Sequence, residues 1–295
     1  MSLFLSGASG FVGQNLISFF NNEITIKKLE RNSSILIKES IVVHLAGKAH
    51  DLKNTSSLEK YYQVNTDLTK IVFNAFLSSS AKAFITLSSV KAVADEVEGA
   101  LTEEQFPNPI THYGKSKLLA EEYILSQQIP EGKRVYILRP CMIHGPGNKG
   151  NLNLLYSLVS KGLPWPLGLF QNSRSYLSIE NLCFVIKELI DREDIPSGVY
   201  NVADDVPLST NEVINMIAES KGKKAIILNL GTNFIKALAR VGDFFKLPLN
   251  SERLKKLTES YVVSNAKIKE AIGKSLPVSS KEGLMRTFQS FSQNA

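Results

Sequence analysis

The chain has 295 residues, 43% hydrophobic and 21% charged, with a net charge of +6. That length suits one large unit, or a nucleotide-binding domain with a smaller partner packed on it. The composition excludes a disordered chain, and no apolar run is long enough to span a bilayer, so no membrane insertion is expected. Cys141 and Cys183 stand in unrelated contexts without Cys/His ligand spacing, so neither a disulfide framework nor a metal site is expected, and a cytoplasmic setting fits. With the glycine motif beginning at Gly7, no cleaved leader is expected.

Leu3 to Ser6 read as a short apolar strand, followed by Gly7-Ala-Ser-Gly10-Phe11-Val12-Gly13 and the amphipathic stretch Asn15 to Phe20. Three glycines at this spacing permit a tight turn, a close approach of backbone to a pyrophosphate, and close packing of helix on strand. The helix N-terminus then offers unpaired N–H groups and a partial positive charge to the phosphates. Further strands are predicted at Ile24 to Leu29, Ile41 to Leu45, Ala83 to Leu87 and Val135 to Leu138, separated by helical patterns at Leu58 to Ser78 and Ser116 to Ser126. This alternation predicts an α/β fold with a doubly wound parallel sheet of Rossmann type. Only nine residues separate Arg31 from Ile41, too few for a helix and a strand, so one βα unit is expected to be missing or reduced there.

After Leu167 the strand-helix rhythm is lost, which predicts a smaller mixed α/β substrate domain. The expected division gives residues 1–145, with 175–205 returning, to the dinucleotide-binding domain, and 146–174 with 206–295 to the substrate domain. At the end of the second strand Glu30 and Arg31 stand side by side. Glu30 suits the free ribose hydroxyl of NAD and Arg31 the extra phosphate of NADP; both cofactors stay open, with Arg31 tipping the reading toward NADP.

The segment Thr111 to Glu121 reads as the start of a helix and places Tyr113 and Lys117 four residues apart on one face, where their side chains can meet. A neighbouring ammonium favours phenolate, so the lysine is expected to lower the tyrosine's pKa for proton transfer. Ser89 follows the strand Ala83 to Leu87 at the carboxyl edge of the sheet, where open α/β folds bind ligands. His44, His144 and Trp165 read as packing residues, and His112 should point to another helix face than Tyr113.

With these residues in view, the chain resembles the extended short-chain dehydrogenase/reductase family, in its sugar-nucleotide epimerase, dehydratase and reductase group. The resemblance runs almost end to end through the glycine motif, His44-Leu45-Ala46-Gly47, Asn65 in Tyr-Gln-Val-Asn-Thr, Leu87-Ser-Ser89, Tyr113-Gly-Lys-Ser-Lys117, Leu138-Arg-Pro140 and Gly145-Pro-Gly147. It implies a nicotinamide cofactor held by Gly7, Gly10, Phe11, Val12, Gly13, Glu30 or Arg31, Leu45, Ala46, Gly47, Asn65, Tyr113 and Lys117, with Ser89, Tyr113 and Lys117 catalytic. It also implies a UDP-sugar substrate, a diphosphate clamp at Arg174, weaker substrate contacts at Lys91, Lys149 and Asn151, and a homodimer formed through Leu58 to Ser78 and Ser116 to Ser126.

Family dehydratases carry an acidic pair after the Ser89 position, and here Val90 and Lys91 stand there. Reduction of a 4-keto sugar and epimerisation at C4 remain. Local texture around Val43 to His50, Leu87 to Ala92 and Gly145 to Asn151 is similar to bacterial reductases of UDP-4-keto-6-deoxy-N-acetylhexosamines. A 4-epimerase of UDP-glucose or UDP-N-acetylglucosamine is the alternative, and a non-catalytic dinucleotide-binding regulator a distant one. The net basicity is local: nine Lys/Arg against two acids lie between Lys221 and Lys256, a solvated surface or an attraction for an anionic ligand such as a sugar diphosphate. No nucleic-acid-binding motif accompanies it.

Overall fold

The computed structural model describes residues 1–30, 35–48, 58–148, 150–245 and 250–293. Six parallel strands form the central sheet in the order β2-β1-β3-β4-β6-β9. They are β1 (Ser2–Ser6), β2 (Thr25–Lys28), β3 (Ile41–His44), β4 (Ala83–Leu87), β6 (Arg134–Pro140) and β9 (Gly198–Val202). Short pairs outside it join β5 (Ala100–Leu101) to β10 (Val262–Val263), and β7 (Met142–His144) to β8 (Tyr176–Ser178). Strand β3 follows β2 in chain order and lies on the other side of β1, so among the described residues no strand lies beyond β2, in line with the short Arg31 to Ile41 interval.

The helices are α1 (Phe11–Phe20), α2 (Leu58–Tyr61), α3 (Leu68–Leu77), α4 (His112–Leu125), α5 (Asn151–Ser160), α6 (Ile179–Asp191), α7 (Thr210–Glu219), α8 (Thr232–Phe245), α9 (Ser251–Thr258), α10 (Ala266–Ile272) and α11 (Ser280–Gln293). None of them is long and apolar enough to cross a membrane among the described residues. Strands β1, β3, β4 and β6 are buried on both faces, which is why they read as continuous apolar runs. Alternate residues face opposite layers: Phe4, Val42 and Phe84 meet Phe73 and Phe76 of α3 and Ile124 of α4, whereas Leu5, Val43 and Ile85 meet Leu16 of α1 and Leu182 and Ile186 of α6. Edge strand β2 is mostly exposed and ends in two lysines, which discourages pairing with another chain.

A separate apolar cluster joins α5, α7, α8, α9 and α11 through Tyr156, Ile214, Ile235, Leu254 and Phe288. Tyr261, Val263, Ile268 and Ile272 pack instead with the sheet, so the chain returns to that core after residue 205.

One predicted helix differs from that observed. The Leu58 to Ser78 pattern is interrupted by a π-helical turn, Tyr62–Asp67, that brings Asn65 inward. Helix α4 starts at His112, as the reading of Thr111 onward as a helix start expects, and Thr111 caps it by accepting from the Gly114 N–H at 3.2 Å. Phe84 is fully buried with its ring 5.0 and 5.4 Å from those of Phe73 and Phe76. Phe84→Ala should lower unfolding free energy by roughly 3–5 kcal/mol, read from urea denaturation; a loss below about 1 kcal/mol would mean that the layer collapses around the gap.

Candidate active site

Gly7 leaves β1 at φ +74°, and a Cβ there would lie 2.5 Å from the Ala46 nitrogen, so only glycine lets this turn pass the Leu45-Ala46 segment. A Cβ on Gly13 would lie 2.3 Å from the Gly7 carbonyl oxygen, so the third glycine seats α1 on the turn. Gly10 caps α1 without a side chain, and the backbone ladder begins with Gln14 N–H donating to the Gly10 carbonyl. The N–H groups of Phe11, Val12 and Gly13 therefore point out of the helix end, and this cradle fits a pyrophosphate. Gly145 packs against Ile179 and the Phe11 ring, bringing the Gly145-Pro-Gly147 loop beside that cradle. Glu30 is exposed just after β2, while Arg31 and Lys149 lie outside the described residues, as does the side chain of Asn151 at the start of α5.

Helix α4 lands on the turn after β4 at Gly114, where a Cβ would lie 2.3 Å from the Lys91 carbonyl oxygen and 2.8 Å from Pro109. Asp95 anchors the same approach, accepting from the N–H groups of Ile110 at 2.7 Å and Thr111 at 3.2 Å and from the Thr111 hydroxyl at 3.3 Å. This contact puts the Tyr113 hydroxyl in hydrogen-bond contact with Ser89, whose Oγ also accepts from the Lys91 N–H. One turn on, Lys117 is buried and its Nζ donates to the Leu87 carbonyl at 2.8 Å. Lys117 also runs beneath Gly47, where a Cβ would come within 3.0 Å of its Nζ.

The electrostatics correct one expectation. Burial pushes the Tyr113 phenol above its ordinary value, with the Ser89 hydrogen bond opposing the shift and Tyr61, 6.2 Å away ring to ring, adding to it. Lys117 is not what dominates the tyrosine; burial lowers the lysine itself to about 8, against an upward pull from Glu121. Burial thus moves the lysine toward neutrality and the tyrosine away from it, in each case by disfavouring the charged form. Glu121 is held in turn by Arg139, which donates Nε at 3.1 Å to each carboxylate oxygen.

A proton-ordered chain braces the site from behind. Thr69 donates to the Asn65 carbonyl at 2.8 Å, so it accepts from His44 Nε2 at 2.9 Å, and His44 Nδ1 must accept from Ser6 at 2.6 Å. The Asn65 carboxamide is spent on Lys48 N–H (2.7 Å), Lys48 carbonyl (3.1 Å) and Ser116 Oγ (3.0 Å), so it ties the loop after Gly47 to α4. Sequence reasoning missed Ser116, Gly114 and Asp95. The only signal for them was their position one turn from Tyr113 or Lys117, or in the loop leading into α4.

The residues expected on the substrate side are engaged with the protein itself. Lys91 donates to the Asp95 carbonyl at 2.7 Å and lies 4.0 Å from the centre of the Tyr261 ring, while Tyr261 donates to the Ala94 carbonyl at 2.7 Å. The Arg174 guanidinium donates to the Lys256 carbonyl and stands 4.0 Å from the Glu259 carboxylate. His112 pairs with the Tyr62 hydroxyl at 3.0 Å, away from Ser89, while His144 and Trp165 are buried and bonded to Thr287 and Asn211.

Residues 3–203 match the profile of the NAD dependent epimerase/dehydratase family. The chain belongs to that family. A relative described as UDP-glucose 4-epimerase from Vibrio cholerae is 32% identical, over 99% of this chain and 96% of its own length. Among solved structures, a UDP-glucuronic acid 4-epimerase from Bacillus cereus in complex with NAD is 18% identical with a TM-score of 0.76, covering 99% of both chains. RMD from Pseudomonas aeruginosa complexed with NADPH is 22% identical with a TM-score of 0.76, covering 100% of this chain and 98% of the other. Members of the epimerase/dehydratase family are NAD(P)-dependent enzymes, and the cradle at Gly7 to Gly13 fits such a dinucleotide.

Two consequences can be measured. Gly114→Ala should lower turnover at least tenfold by lifting Tyr113 from Ser89, with a crystal structure showing α4 displaced; full activity would show that the turn yields instead. Burial, with a smaller push from Lys117, lowers His44 to about 3, so the folded state takes up its proton later than the unfolded chain. Stability should therefore fall as pH drops from about 6.5 toward 3, by an amount on the order of several kcal/mol. His44→Gln should flatten part of that slope in thermal unfolding, and an unchanged slope would place the acid sensitivity elsewhere.

Proposed function

We propose that the protein moves a hydride and a proton at C4 of a nucleotide-linked sugar, with Ser89, Tyr113 and Lys117 as its reacting centre. The reading rests on the Tyr113 hydroxyl bonded to Ser89 and one helical turn from a buried lysine near neutrality. When bound, the nicotinamide gives or takes the hydride. As a carbonyl at C4 becomes an alcohol, Tyr113 gives its proton to the sugar oxygen, Ser89 holds that oxygen, and the Lys117 ammonium stabilises the phenolate left behind. Solvent then reprotonates the tyrosine.

Elimination of water needs carboxyl groups that this centre lacks. Val90 is buried, the Lys91 ammonium is held by Asp95 and Tyr261, and the Asp95 carboxylate is taken up at the start of α4. The finer reading is one-way reduction of a UDP-4-keto-6-deoxy-N-acetylhexosamine for surface-polysaccharide synthesis, with Arg31 favouring NADP and Arg174 clamping the diphosphate. Residues 146–174 and 206–295 would supply the sugar-nucleotide side. The second reading, 4-epimerisation of a UDP-hexose, is favoured by the relative described as UDP-glucose 4-epimerase. Exposed Ile71 on α3 and Leu119 on α4 support a homodimer through those helices.

Mixing the purified protein with a UDP-4-keto-6-deoxy-N-acetylhexosamine and NADPH or NADH separates the two. Stoichiometric loss of cofactor absorbance is expected. Interconversion of UDP-glucose, or its N-acetyl analogue, without net cofactor consumption would establish the epimerase instead. Tyr113→Phe should lower turnover by roughly 10² to 10⁴, and near-normal activity would remove it from the reaction. Turnover should also fall as pH rises through about 8, where Lys117 loses its charge; a profile flat across that range would exclude the ammonium from the step.

A further inference from the structure

Helix α8 is apolar on more of its circumference than the protein covers. Ile235, Ala239 and Gly242 are buried, while Phe234, Leu238, Val241 and Phe245 lie outside at i, i+4, i+7 and i+11, one continuous stripe along the helix. Phe244 and Phe245 at its end are 82% and 65% exposed. Just ahead of the helix, Ile226 and Leu228 are exposed as well. Soluble monomers seldom leave such a run uncovered, and large contiguous apolar surface marks an interaction site.

Charge identifies what meets it. Lys236 and Arg240 occupy the other flank of α8, with Lys223 and Lys224 shortly before it, and all four are exposed with no ion pair among the described residues. The one acid of the helix, Asp243, is occupied by the Ser251 N–H at 2.9 Å and the Ser251 hydroxyl at 2.5 Å. Aromatic side chains on one flank and unpaired cations on the other are the chemistry of a helix lying in the plane of a membrane interface. Fourteen residues are too few to span a bilayer, so the helix would lie on it. A second copy seated on the apolar stripe would leave Lys236 and Arg240, on the opposite flank, without a counter-charge.

We propose that α8 is a docking helix that lays this lobe on an anionic lipid surface. The bilayer would then lie beside the sugar-nucleotide side of the molecule, because α9 packs on α8 and the Lys256 carbonyl of α9 holds Arg174. The proposal stands independently of the reaction assigned above.

The full-length protein, sedimented with phosphatidylcholine vesicles with or without phosphatidylglycerol, tests it. Pelleting is expected only with the anionic vesicles, with release by added salt. The combined change Phe234→Ser, Phe244→Ser and Phe245→Ser should abolish it while leaving the melting temperature unchanged. Lys236→Gln with Arg240→Gln should weaken it roughly thirtyfold, the usual worth of two basic residues at such a surface. No pelleting, equal pelleting with neutral vesicles, or a triple serine variant that still pellets would overturn the proposal. So would light scattering that shows a dimer which the serine variant turns into monomer without any vesicle binding, because the face would then belong to a second copy.

Discussion

The approach of α4 to the turn after β4, where Gly114 meets the Lys91 carbonyl with no room for a side chain, is the contact on which the rest of the site depends. It brings a helix residue, Tyr113, to a strand-end residue, Ser89, that the sequence places 24 positions earlier. Asp95 makes the approach stable by accepting from three donors at the start of the helix. Negative charge at a helix N-terminus is favourable in itself, so one carboxylate both anchors the loop and caps the dipole.

Burial then tunes the chemistry. Once α4 is seated, Lys117 lies under Gly47 with little water around it, and desolvation brings its proton affinity near neutrality. The same burial raises Tyr113. The shared burial moves the two groups apart in proton affinity and holds the phenol in its protonated form, as a group that gives its proton to an oxygen must be. The Arg139 and Glu121 pair below, and the chain from Ser6 through His44 and Thr69 to Asn65 behind, keep that setting closed.

Much of this was legible in the residues. The glycine turn, the parallel sheet and the shortened link between the second and third strands follow from local pattern, because glycine tolerance, apolar runs and segment length are properties of short stretches of chain. What braces the helices was less legible. The cap at Thr111 and the π-helical turn at Asn65 depend on partners far along the chain, Asp95 for one and Lys48 and Ser116 for the other.

By itself the sequence determined the fold class, the glycine turn and the pairing of Tyr113 with Lys117 on one helix face, since these rest on spacing within single elements, whereas the contact of Tyr113 with Ser89 needed α4 seated on the turn after β4. The tertiary structure decided the direction of the Tyr113 shift, because desolvation depends on what surrounds a group and not on its neighbour four residues away. It also decided that Lys91 and Arg174 are tied to Asp95, Tyr261 and Lys256. Finally, it divided the apolar residues of α8 into those that fill the core and those that face outward, which periodicity alone could not do, since both halves of a wide apolar face carry the same period.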